Sequence, residues 1–153
     1  MGARGAGALV AAVLTFLSLL TAVPAAAGDE VIGSVKTVRG AATVVRAGAT
    51  MPAAPGLKLF AGDVLETGAD GALGLVLRDD SLMSLGPSSR ASVEKFLFAP
   101  AEGKLGLTTR VVRGTLTYLS GIIGRLAPEA TTFVTPVFTI GVRGTHFAVR
   151  VEG

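Results

Sequence analysis

The sequence has no cysteine, no tryptophan, one tyrosine (Tyr118) and one histidine (His146). Without cysteine there is no disulfide, no thiolate zinc site and no cysteine nucleophile. A single histidine among scattered carboxylates is a poor zinc ligand set, and His146 reads as a surface residue on a strand. The few aromatics leave little to stack on sugars or bases. Lys36, Arg39 and Arg46 are spread out, as are Arg110, Arg113 and Arg125, so the net charge of +3 does not amount to a nucleic-acid patch. Phosphate-loop and dinucleotide fingerprints are missing, and so is a G-x-S-x-G elbow, which leaves Ser88-Ser89 as loop residues. Asp70 with Asp79-Asp80 offers too few ligands for calcium and reads as a solvated turn. Glu66, Glu94 and Glu102 show no pairing pattern of the kind acid/base glycoside chemistry needs. The expectation is a non-catalytic chain without cofactor, metal site or catalytic residue.

Half of the residues are hydrophobic, enough for a core, and 153 residues suit one domain. The first 27 are read as a secretory signal. Arg4 gives a positive start, Ala8 to Val23 forms an apolar run, Pro24 breaks it, and Ala25-Ala26-Ala27 offers small residues to a peptidase. That run is short for a membrane span, and no later stretch is long and apolar enough to cross a bilayer. The expected division is a signal over 1–27 and one β domain over 28–153. The mature protein is expected in the periplasm or secreted.

After Gly28 the pattern is short alternating or apolar runs broken by glycine. The sequence predicts strands at Val31 to Val38, Ala42 to Arg46, Ala72 to Arg78, Ser81 to Leu85, Ala91 to Phe98, Leu105 to Val112, Thr115 to Leu119, Phe133 to Val134, Val137 to Val142 and His146 to Val151. Leu73, Leu75 and Leu77 share one face, with the small Ala72 and Gly74 and with Val76 on the other. Phe147, Val149 and Val151 likewise oppose His146, Ala148 and Arg150. Asp79-Asp80 closes a tight hairpin. Leu119, Ile122, Ile123 and Leu126 fall at helical spacing, but Gly121 and Gly124 weaken a helix, so a loop or one helical turn is expected. The fold class is all-β: a sandwich, roll or irregular solenoid-like domain.

One word recurs: Val38-Arg39-Gly40, Val112-Arg113-Gly114 and Val142-Arg143-Gly144 each join one β-rich run to the next. Glycine permits the bulge or corner at which an apolar ribbon changes sheets, so each word is read as a strand–glycine–strand bend.

These pieces, in this order, resemble the FecR domain. The resemblance starts at Val31-Ile32-Gly33-Ser34-Val35. It continues through Gly62-Asp63-Val64-Leu65-Glu66-Thr67-Gly68, the leucine strand, the acidic turn and Leu82 to Pro87. It ends at Thr135-Pro136 and Ile140-Gly141-Val142-Arg143-Gly144-Thr145-His146-Phe147-Ala148-Val149. FecR-like sensors carry a cytoplasmic sigma-factor-regulating segment, a membrane span and a periplasmic domain that relays contact from an outer-membrane receptor. With a signal at Met1, the resemblance implies instead a stand-alone exported FecR-domain protein: an interaction or signal-relay module with a protein partner in the cell envelope. Binding of envelope polysaccharide or peptidoglycan is the alternative. No nucleic-acid partner is expected, and no integral membrane span after signal cleavage.

Overall fold

The computed structural model describes residues 30–153; the expected signal over 1–27 lies outside them. Twelve strands form one continuous sheet that curls into a half-barrel, so the all-β expectation holds. In chain order they are β1 (Val31–Arg39), β2 (Ala42–Arg46), β3 (Ala49–Pro52), β4 (Lys58–Phe60), β5 (Val64–Thr67), β6 (Ala72–Leu77), β7 (Leu82–Leu85), β8 (Arg90–Ala99), β9 (Lys104–Leu119), β10 (Thr131–Val134), β11 (Thr139–Gly141) and β12 (His146–Val151). The segment with helical spacing forms α1 (Ile122–Leu126), a single turn, because two glycines and Pro128 give it nowhere to extend.

The sheet has two leaves joined by β9. The first runs β4-β1-β6-β7-β9-β12 and is antiparallel throughout. The second runs β3-β2-β5-β8-β9-β10-β11, with one parallel pairing, β10 against β9. Residues 104–113 of β9 pair with β8, and residues 114–119 pair with β12. The sequence suggested two strands here; the structure has one of sixteen residues, bent at Val112-Arg113-Gly114. Arg90 faces Arg113 while Ala91 faces Val111, so Val112 is the extra residue of a bulge, and Gly114 sits at φ +83. The other two words are also corners between leaves. Gly40 (φ +56) passes the chain from β1 to β2, and Gly144 (φ +139) passes it from β11 to β12. The other five of the seven strand-to-strand changes of leaf use other turns.

Period-two alternation sends one face of each leaf inward. Leu73, Leu75 and Leu77 are at most 2% exposed, and Val149 and Val151 are buried, while His146, Ala148 and Arg150 face out. Both leaves feed a single core. At the seam Tyr118, Phe133 and Phe147, from β9, β10 and β12, stack with centroid separations of 5.2 and 5.0 Å. Such tilted pairs contribute about 0.5–1.5 kcal/mol each beyond their buried area. Three short strands escaped the sequence reading. β3, β4 and β5 are only four, three and four residues long, too short for alternation to show, and β3 ends at Pro52.

Candidate functional site

Several polar residues of the turns are buried and spent inside the fold. Asp63, of the Gly62-Asp63 turn, is 4% exposed. Its carboxylate accepts two hydrogen bonds from Arg46, from Nε at 2.9 Å and Nη2 at 2.7 Å, and one from the Phe60 amide at 2.9 Å. Arg46 also donates to the Lys58 carbonyl, and its guanidinium lies 4.4 Å from the centre of the Phe60 ring. The hydrogen bond to Asp63 strengthens the guanidinium's hold on its proton. This cluster clips β2 of the second leaf to β4 of the first.

Thr67 and Ser89 form a second bracket. Thr67 Oγ1 donates to the Gly86 carbonyl at 2.6 Å and accepts from the Ser89 amide at 2.9 Å. Ser89 Oγ in turn accepts from the Thr115 amide at 2.9 Å. Ser89, read from sequence as part of an open loop, is therefore buried and bonded across the corner; only Ser88 is exposed.

Asp79 corrects the sequence reading. The pair Asp79-Asp80 does close the β6–β7 hairpin, with Asp80 at φ +65, but it is not a solvated turn. Asp79 is 0% exposed, and no cationic side chain among the described residues pairs with it. Its carboxylate accepts hydrogen bonds from the Ser81 hydroxyl and amide and from the Ile123 amide at 3.2 Å, while its carbonyl accepts from the Ile122 amide at 2.7 Å. The α1 turn is thus fastened to this hairpin. Asx geometry satisfies the carboxylate with local dipoles in place of a counter-ion. The sequence held no signal for this, since the partner amide lies 44 residues away.

The other residues weighed for chemistry are apart. His146 is exposed on the outer face of β12, opposite Leu119. Glu66, Glu94 and Glu102 each meet a cation: Arg90 at 2.7 Å, Arg110, and Lys104 at 3.3 Å. Among the described residues no three His, Asp or Glu side chains come close enough together to hold a metal ion. No described helix is long and apolar enough to cross a membrane.

One exposed turn is apolar. Thr135-Pro136-Val137-Phe138 is a tight turn between β10 and β11. The Thr135 amide donates to the Phe138 carbonyl at 2.8 Å, and Thr135 Oγ1 both donates to that carbonyl at 3.0 Å and accepts from the Phe138 amide at 3.1 Å. Thr135 is buried, which anchors the turn, whereas Val137 is 80% exposed and Phe138 44%. Pro136 sits exposed in this turn. The strand that follows, β11, pairs only with β10, so its other ladder edge has no partner strand among the described residues. The sequence reading extended this strand back to Val137; the Thr135 clip takes Val137 and Phe138 out of the ladder. The edge of β12 away from β9 is open in the same sense.

Comparison with curated proteins and with solved structures found no match. The family described as FecR protein matches residues 63–153, from the Arg46-bonded Asp63 through the last corner and β12. With Asp63 itself, the Thr67–Ser89 bracket, the buried acidic turn and the Val142-Arg143-Gly144 corner inside that span, the chain belongs to the FecR family.

Proposed function

We propose that this chain is an exported, non-catalytic module of the bacterial cell envelope that relays a signal by binding another protein. The observation that carries the reading is the Val137–Phe138 turn: two large apolar side chains held out to solvent by a locked turn beside the open edge of β11. A partner strand can extend the ladder of β11 while an apolar pocket takes the turn. Membership of the FecR family supports a relay role. The non-catalytic reading rests on use: Asp63, Thr67, Asp79, Ser81, Ser89 and Thr135 are buried and bonded within the fold, and His146 stands by itself on an outer face. Export rests on the signal-like run ahead of the domain. Polysaccharide binding is less favoured, because the one tyrosine is fully buried and cannot serve as a sugar platform.

The test is a photo-crosslinking residue placed at Val137, and separately at the exposed Lys95, in cells that make the full chain. Export predicts material that begins near Gly28 in the periplasmic or secreted fraction. The interface predicts a discrete protein adduct from position 137 and none from position 95. Intact Met1 on membrane-bound material overturns export, and equal or absent labelling at both positions overturns the interface.

A further inference from the structure

Between β9 and β10 the chain crosses the β6–β7 hairpin as a strap, Ser120 to Ala127, that contains α1. Three of its amides bond to the rest of the fold. The Ser120 amide donates to the Thr145 carbonyl, the Ile122 amide to the Asp79 carbonyl and the Ile123 amide to the Asp79 carboxylate. Ile123 is its only buried large side chain, and Leu126, which the helical spacing placed on the same stripe, is 63% exposed. Gly121 and Gly124 fit only because they lack a side chain. A Cβ on Gly121 would lie 2.1 Å from the Asp79 carbonyl, and one on Gly124 2.7 Å from Ser120 Cβ.

Beneath the strap the hydrogen bonding is incomplete. The hydroxyls of Tyr118, Ser120 and Thr131 are all buried without a protein partner. Thr131, Ser81 and the main chain of Gly121 lie near the Tyr118 hydroxyl without completing a well-directed bond, and burial together with the charge of Asp79 raises its pKa. Closing the strap therefore gains the burial of Ile123 and loses the hydration of three hydroxyls and a carboxylate. These terms oppose each other, which is how a segment is left with little net preference for the closed state.

We infer that Ser120–Ala127 is a lid that opens while the sheet stays folded, exposing Asp79, Tyr118 and Thr131 to water. The lid is joined to both sides of the exposed turn's hairpin: the chain runs from its end at Ala127 into β10, which begins at Thr131, and its Ser120 amide bonds the Thr145 carbonyl just before β12.

Amide hydrogen exchange on the full chain tests this, with the Ile122 and Ile123 amides read against those of Leu107 and Val111 in β9. The lid predicts exchange at Ile122 and Ile123 faster by about a hundredfold or more and insensitive to low denaturant. It also predicts cleavage by trypsin after the exposed Arg125 without loss of the folded sheet. Tyr118→Phe removes an unpartnered hydroxyl from the closed state and keeps the ring, so it should slow exchange at Ile122 and Ile123 about tenfold while leaving β9 unchanged. Strap amides that exchange only together with β9 overturn the inference. So does a Tyr118→Phe protein whose strap exchanges at the wild-type rate or faster.

Discussion

Gly114 and Gly144 follow the same Val-Arg pair and precede the same threonine, yet they are different corners. Gly114 lies inside β9, where the strand leaves one leaf for the other, and a Cβ there would sit 2.2 Å from Ser89 Oγ and 2.5 Å from Ser89 Cα. Gly144 lies in a connection between strands, at φ +139, with nothing within 4 Å of where its Cβ would be. Both need glycine for the backbone angle; only Gly114 also needs it for space. A recurring word therefore marks a recurring bend, while the cost of changing it is set by what packs against the bend.

The sharpest way to break this comparison is Gly114→Val. Strain at φ +83 adds to a collision with the backbone of Ser89, which cannot move without pulling the Thr67–Ser89–Thr115 bracket apart. A loss above about 4 kcal/mol is expected in chemical denaturation, or failure to fold. Gly144→Val should lose about 1–3 kcal/mol, from the backbone angle alone. If the two variants unfold at the same denaturant concentration, the distinction between space and angle is wrong.

A smaller effect reads the two corners together, because they deliver strands that meet at Tyr118 opposite Phe147. Burial first, and then the nearby charge of Asp79, raises the Tyr118 pKa above its usual 10.0. Above about pH 10 the unfolded chain has released this proton and the folded chain has not. The folded state then binds more protons, so stability falls as pH rises from the ordinary value toward the raised one. Tyr118 is the only tyrosine, so phenolate absorbance follows it alone; Tyr118→Phe should flatten this alkaline component of the stability curve. In Gly144→Val, a loosened β12 should let Tyr118 titrate nearer its usual value. The smallest effect is expected for Arg143→Ala, within about 0.5 kcal/mol, since Arg143 is exposed and pairs with no carboxylate among the described residues. A larger loss of stability would give the arginine of the word a structural role.

Much of this fold was legible because its information is local. Alternation placed Leu73, Leu75 and Leu77 inward and His146 outward, and Gly40 and Gly144 lie at corners between runs that could be read. The continuity of β9 was not legible. Val112-Arg113-Gly114 has the same local chemistry as a true break, and only pairing to β8 on one side of the bend and to β7 and β12 beyond it keeps the strand in one piece. The burial of Asp79 was hidden for a similar reason: Asp-Asp in a hairpin reads as polar until the strap arrives from the other end of β9. The apolar turn was half visible. Pro136 marked it, but the Thr135 clip that turns Val137 and Phe138 outward depends on backbone geometry within the turn.

The place of β1 in the sheet bears on how the domain could be handled or inherited. The family match starts at residue 63, but β1 sits between β6 and β4, and β2 sits between β5 and β3. A fragment cut at residue 63 would strip one flank from β6 and one from β5, leaving backbone donors and acceptors bare beside Leu65, Leu73, Leu75 and Leu77. Such edges seek other strands, so the excised piece is expected to self-associate. The segment from Val31 to Phe60 acts as a built-in guard against clumping.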